Sequence, residues 1–283
     1  YTVVLSPPGV DRIFLHHAGC NDTFAPEEVD LDLVSGADLF YFGYPPLMRR
    51  VYADGGAAFA GLLERVKALG ATTVLDLALP DPDSASGRAD WRGFLERTLP
   101  LTDAFMPSLA EVCLMLARQP PDPTDASALR DLSEALLALG AGLVALKLGA
   151  HGLYLRSGDL AGRDLGRAFG KASAWSGLEL WSPVFQVHVK GTTGAGDATV
   201  AGFIRALAEG RTPEGCLETA CAVGAASVEA LDASSGVPTR AALRARLARG
   251  WPRAAHRADE SYWTLGPHGV YRRAQRDLKG GKP

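Results

Sequence analysis

Lys190-Gly191-Thr192-Thr193-Gly194-Ala195-Gly196-Asp197-Ala198 decides how this chain reads, because it joins an extended segment to an amphipathic helix carrying Phe203, Ile204 and Leu207. Gly194 and Gly196 let the backbone turn tightly. The amides of the first helical turn then have no acceptor within the helix, and the helix dipole adds partial positive charge beside them, so the loop suits an anion. Asp197 falls in that turn. A carboxylate there can take a proton from an attacking alcohol while the Gly194, Ala195 and Gly196 region offers N–H groups to phosphate oxygens. Taken alone, the motif also reads as a tight turn whose acidic residue merely complements the dipole.

Working outward, the apolar run 39–42 precedes a helical pattern through Phe59, Leu62, Leu63, Val66 and Leu69, then a strand-like segment at 72–77. Further strands are expected at 104–106, 143–148, 153–155 and 184–189, with helices from about Ser108 and over 125–139, 195–208 and 213–230. This alternation predicts an α/β fold, a doubly wound and mostly parallel sheet flanked by helices. Residues 2–5 and 12–16 read instead as a β-hairpin around Pro7-Pro8-Gly9-Val10-Asp11. The tail beyond Trp251 is basic and poorly periodic.

With 283 residues and 47% hydrophobic content the chain can bury a full core. A net charge of −3, from 29 basic and 32 acidic residues without long single-sign runs, argues against nucleic acid and for a small-molecule partner. No segment approaches the roughly 18 to 20 apolar residues of a membrane span. Cys20, Cys113, Cys216 and Cys221 lack a Cys-x-x-Cys or Cys/His pattern, and reduced thiols in a cytoplasmic protein are expected.

The run Thr192-Thr193-Gly194-Ala195-Gly196-Asp197, followed by Ala201-Gly202-Phe203, resembles the D-T-x-G-A-G-D motif and A-G-F helix of the ribokinase-like PfkB carbohydrate kinases. The resemblance extends over nearly all of the chain. It implies ATP-dependent phosphorylation of a sugar hydroxyl, with Asp197 as general base and the amides of Gly194, Ala195, Gly196 and Asp197 as anion hole. It also implies a nucleotide site from Lys147-Leu148-Gly149-Ala150-His151-Gly152, from Thr192 and Thr193, and from Cys221 and Gly224 in a helix of small residues that would border adenine. Gly149 and Gly152 would let the backbone approach the nucleotide. Pro107-Ser108-Leu109-Ala110-Glu111 resembles the family's N-x-x-E, in which the Glu helps arrange Mg²⁺; here Ser108 replaces the Asn, and Ser108 with Glu111 also reads as a helix capping box. Pro238 and Thr239 match the family's closing I/V-P-T.

Three departures follow from the same comparison. Gly191 stands where K⁺-activated members carry an Asp, so the resemblance does not bring K⁺ dependence with it. The family's first strand and its G-G-x-x-x-N sugar motif do not precede Tyr1, so residues 1–24 are expected to be a partial β lid with its return segment. Residues 25–283 are expected to form the nucleotide-binding and catalytic core without its N-terminal strands. Sugar contacts are then sought at Asn21, Gly43, Tyr44 and Asp76, the last three outside carboxyl ends of strands. Asp76-Leu77-Ala78-Leu79-Pro80 departs from the usual D-P-N-x-R, which discourages naming ribose, fructose or adenosine as substrate. Lid hairpins in this family often mediate dimers, which makes a homodimer an expectation. The rivals are a non-catalytic sugar or nucleotide binder and a nucleoside kinase, while a Rossmann dehydrogenase lacks its G-x-G-x-x-G spacing.

Overall fold

Two short strands at the start of the chain, β1 (Thr2–Leu5) and β2 (Ile13–His16), pair antiparallel as a separate two-stranded sheet, with Thr2 opposite His16 and Leu5 opposite Ile13. The structure is a computed structural model that describes residues 1–5, 7, 13–255 and 258–274. The expected turn at Pro8, Gly9, Val10 and Asp11, and Arg12 after it, lie outside the described residues.

Among the described residues the main sheet has eight strands. Four of them, β3 (Leu39–Phe42), β4 (Thr72–Leu75), β5 (Ala104–Phe105) and β6 (Leu143–Lys147), pair in parallel in that order. Beyond them β7 (Leu153–Ser157), β8 (Glu179–Ser182) and then β10 (Tyr271–Arg273) and β9 (Trp263–Leu265) continue the sheet antiparallel. The helices are α1 (Leu31–Ser35), α2 (Arg49–Tyr52), α3 (Ala57–Ala68), α4 (Trp91–Thr98), α5 (Leu109–Met115), α6 (Ala126–Ala138), α7 (Ala195–Ala208), α8 (Pro213–Ser227) and α9 (Arg240–Ala248).

Period-two alternation sends each strand into two cores. Along β6, Val144 and Leu146 join one core with Phe59 and Leu62 of α3, Phe94 of α4 and Leu136 of α6. Leu143 and Ala145 join the other, with Phe203 and Leu207 of α7 and Leu217 and Ala220 of α8. Because both faces are covered, the parallel strands read as unbroken apolar runs rather than alternating ones. Helices α7 and α8 pack backbone to backbone. A Cβ on Gly202 would lie 3.0 Å from the Ala220 Cα, and one on Gly224 only 2.2 Å from the Thr199 Oγ1.

At the amino ends of the parallel strands, Lys67 donates to both carboxylate oxygens of the fully buried Asp103, at 2.7 and 2.9 Å, and to the Asp164 carbonyl at 2.7 Å. The Thr73 N–H donates to the same carboxylate at 2.9 Å, so this pair pins α3, β4 and the start of β5 together.

One expectation is corrected. Residues 184–189 are not a strand; the chain leaves the sheet at Pro183, which has no N–H for the ladder, and makes a single bridge from Phe185 to Arg253. The strand is Glu179-Leu180-Trp181-Ser182 instead, whose buried Glu179 is satisfied by Tyr154, Arg156 and Tyr262. The tail also contributes β9 and β10, held by aromatic packing of Trp263 on Tyr154 and of Tyr271 on Trp181.

Gly152, which turns β6 into β7, has φ +94°, and a Cβ there would lie 2.0 Å from the Ser182 carbonyl oxygen. Gly152→Ala is expected to lower unfolding free energy by about 2 kcal/mol or more, read as a lower urea midpoint at unchanged m-value.

Candidate active site

Parallel pairing brings the carboxyl ends of β3 to β6 to one edge, where an open α/β sheet binds ligands. Asp76 follows β4 with its N–H on the Phe42 carbonyl (3.0 Å), and Lys147 ends β6 with its N–H on the Pro107 carbonyl (2.9 Å). Their side chains meet: Lys147 Nζ donates to Asp76 Oδ1 at 2.6 Å and Oδ2 at 2.8 Å. Both are withdrawn from water, with the Asp76 side chain 2% exposed and that of Lys147 12%. Asp76 Oδ1 also accepts the Leu77 N–H at 2.7 Å. Burial pushes the Asp76 carboxyl up to about 7; the Lys147 ammonium pulls it down, and nearby Glu111 pushes it further up.

The loop 190–194 reaches this edge from the other side. Lys190 and Gly191 donate to the Val228 carbonyl at 2.8 and 3.3 Å, and Ala195 donates to Thr192 at 3.2 Å. Gly194 caps α7 in the left-handed region (φ +76°), with the Ala233 carbonyl oxygen 2.7 Å from where a Cβ would stand. The first intrahelical bond of α7 is from Ala198 N to Gly194 O, 2.8 Å, so the amides of Gly196 and Asp197 precede any partner inside the helix. Lys147 lies beside that turn, since a Cβ on Gly196 would sit 3.4 Å from its Nζ.

Asp197 is half-buried and is met from the far end of the sheet by Tyr44, whose hydroxyl donates to Oδ1 at 2.5 Å. Burial and that hydrogen bond push the Tyr44 phenol well above its ordinary pKa, so it is a donor at neutral pH. Tyr44 itself is left-handed (φ 60°, ψ 39°), between Gly43 and the Pro45-Pro46 turn. The Tyr41 hydroxyl lies over Gly43, 2.6 Å from where a Cβ would stand. Sequence reasoning missed Tyr41. Burial first, then the charges of Asp76, Asp197 and Glu111, raises its phenol as well.

Ser108 and Glu111 form the capping box: Ser108 N–H donates to Glu111 Oε2 at 2.6 Å and Glu111 N–H to Ser108 Oγ at 3.3 Å. Ser108 also bridges to Lys147, which sets Glu111 at the same edge. Among the described residues no group of three or more His, Cys, Asp or Glu could cage a metal ion. That donor set fits a magnesium ion carried on phosphate oxygens, with one outer carboxylate, better than a protein-held ion.

The structure therefore brings Gly43, Tyr44, Asp76, Ser108, Glu111, Lys147 and Gly194, Ala195, Gly196 and Asp197 to one edge. Thr192 and Thr193 lie on the loop just before it. Gly149 (φ +58°) and Gly152 shape the turn beyond Lys147. Cys221 is 4% exposed and donates to the Ser182 carbonyl, and Gly224 faces Thr199, so both serve helix packing. Asn21, in the 3-10 turn Gly19–Asp22, is tied locally through its N–H to the Ala18 carbonyl, and the described contacts do not link it to Asp197.

The start of α7, the Asp197 carboxylate and the Lys147 ammonium thus lie together at the carboxyl edge of an α/β sheet. Residues 1–240 match the pfkB family carbohydrate kinases, and the chain belongs to that family. It is similar to an uncharacterized sugar kinase of Archaeoglobus fulgidus, 24% identical over 228 residues, 81% of this chain and 76% of the relative. Its fold is similar to Arabidopsis thaliana ribokinase solved with ribose and ATP (TM-score 0.63, 20% identity, 87% of this chain and 68% of that one). A ribokinase-like E. coli protein solved with ATP and Mg²⁺ is comparable (TM-score 0.61, 21% identity, 84% and 68%).

Removing the ammonium that holds Asp76 yields a signed pH prediction. A carboxyl whose folded-state pKa lies above its unfolded value contributes stability that is present at low pH and lost as pH rises through the folded value. Lys147→Met removes the main force that lowers Asp76, so its folded value moves above the present one of about 7. The deficit of the variant against wild type is expected to widen as pH rises past neutrality, towards about 3 to 5 kcal/mol for an uncompensated buried charge, followed by denaturant midpoints from acid to alkaline buffer.

Proposed function

We propose that the chain transfers the γ-phosphoryl group of ATP to a sugar hydroxyl, with Asp197 as the base. The observation that carries this is the position of Asp197 in the first turn of α7, where its carboxylate and the amides of 194–197 serve one small volume. With Oδ1 engaged by Tyr44, Oδ2 is the oxygen that accepts the proton of the attacking hydroxyl. The amides of Gly194, Gly196 and Asp197 stabilise charge on the phosphoryl oxygens without reorganising, whereas that of Ala195, read as part of the anion hole, is already given to the Thr192 carbonyl. When bound, ATP with Mg²⁺ supplies the phosphoryl group and neutralises part of its charge. Lys147, Gly149, Gly152, Thr192 and Thr193 would border the nucleotide, with Cys221 and Gly224 fixing α8 beneath it, and Glu111 with Ser108 would face the metal's waters. Asn21, Gly43, Tyr44 and Asp76 are the sugar-side group assigned from sequence.

In this reading residues 1–24 are a lid over that edge and 25–283 the core. The hairpin exposes Val3, Val4, Leu5, Ile13 and Leu15, each 38 to 56% accessible, and a second copy of the chain is the proposed cover. Among the described residues no helix is long and apolar enough to cross a membrane, and the four cysteines are free, which supports the cytoplasmic reading.

Asp197→Asn is expected to reduce sugar-dependent ADP formation by about 10²- to 10⁴-fold, the usual contribution of a general base, while leaving the thermal midpoint near wild type. Screening sugars and nucleosides identifies the acceptor, and full-rate turnover by the variant would exclude the assigned base. A Cβ at Gly191 would lie 2.8 Å from the Leu231 carbonyl oxygen, so no acidic side chain fits there. Replacing K⁺ by Na⁺ is accordingly expected to leave turnover unchanged. Ile13→Asp with Leu15→Asp is expected to shift sedimentation from dimer to monomer; an unchanged sedimentation coefficient would remove the hairpin from the interface.

A further inference from the structure

Resting on the kinase reading of this edge, we propose that Asp76 acts through Lys147 rather than on the sugar, and that the ammonium it holds is the group that recognises the terminal phosphoryl of a nucleoside triphosphate. Asp76 is thereby a positioning residue, and Lys147 the residue that touches substrate.

The geometry of Asp76 points away from a sugar ligand. Its side chain is 2% exposed, both oxygens are bonded to one ammonium, and Oδ1 carries a further N–H from Leu77. A hydroxyl arriving from solvent would have to displace Lys147 first.

The position of Lys147 points toward an anion. Its Nζ lies beside Gly196, over the start of α7, where the helix dipole is positive and a cation is unfavourable. Two positive features on one spot are a stability cost that a bound polyanion would relieve. Comparison with the other buried lysine pair is instructive. Lys67 directs donors to both oxygens of Asp103 and to the Asp164 carbonyl, so its three N–H groups are satisfied inside the protein. Lys147 makes the same two bonds to Asp76 and, among the described residues, has its third donor left for a ligand. One pair is therefore closed and the other is open on the side of the anion hole.

The test measures binding without turnover, by calorimetry with Mg²⁺ present, comparing the non-hydrolysable β,γ-imido analogue of ATP with ADP. Lys147→Met is expected to weaken the analogue by about tenfold or more, the worth of one charge-assisted hydrogen bond, and to leave ADP within about twofold. Asp76→Asn is expected to weaken the analogue selectively as well, and the double variant to be no worse than Lys147→Met alone, because a residue that works through another cannot add to its loss. Lys147→Arg, which keeps the charge and the pairing, is expected to bind the analogue more tightly than Lys147→Met and guards against reading a folding defect as a contact. Equal losses for ADP and analogue, no loss in Lys147→Met, or additive losses in the double variant would each overturn the proposal. A wild-type protein that binds neither nucleotide would overturn the kinase reading itself, a different outcome from a wild type that binds both while the variants show no selectivity.

Discussion

The arrangement of the candidate site depends on where α7 starts. Gly194 must be left-handed, and the Ala233 carbonyl fills the space a side chain would need. Once the helix is started there, Gly202 and Gly224 hold it against α8 at a spacing that a side chain at either position would disturb. Close-packed interiors transmit such constraints because they lack free volume to absorb them. The amides of the first turn and the carboxylate of Asp197 are thus aimed by close contacts on the far side of the helix.

Charge at this edge is balanced in layers. Asp76, Glu111 and Asp197 lie at the same edge as Lys147, and burial first, then nearby carboxylate charge, raises both Tyr41 and Tyr44. Were the carboxylates alone, an anionic phosphate would be repelled. Lys147 and the dipole of α7 add positive charge on one side, while the two phenols, protonated at neutral pH, are neutral groups on the other. In the proposed reaction that division would separate the phosphate from the place where a proton is taken.

Much of this was legible in the sequence. The loop before α7 announced itself by glycine spacing and the periodic helix after it, and the runs that became β3, β4 and β6 are apolar because both sheet faces are covered. Ser108 and Glu111 were read both as a capping box and as a metal-side pair, and the two are compatible, since one carboxylate oxygen can cap while the residue remains at the edge. What was illegible had tertiary causes. Glu179 sits in a strand because Tyr154, Arg156 and Tyr262 come from distant segments to satisfy it. The tail strands carry arginines and short aromatic runs without a clear period, and only their neighbours in the sheet make them strands. Tyr41 looked like one apolar residue among Leu39-Phe40-Tyr41-Phe42, yet the parity of the strand and the absence of a side chain at Gly43 turn its hydroxyl to the site.

Tyr44 shows how far apart the determinants of one carboxylate lie. It is 153 residues from Asp197 in the chain, yet it supplies the hydrogen bond that fixes the rotamer. Its left-handed backbone is strained for a residue with a side chain, at a cost of order 1 kcal/mol, and Pro45 at the next position restricts it further. Strain of this kind persists only where surrounding contacts outweigh it, and here they are Tyr41 across Gly43 and Asp197 at the hydroxyl. A phenol both donates and accepts. With the proton of Tyr44 committed to Asp197 Oδ1, Oδ2 is left as the acceptor that the proposed reaction requires for the one proton of an incoming alcohol, and the bond that orients the carboxylate need not break.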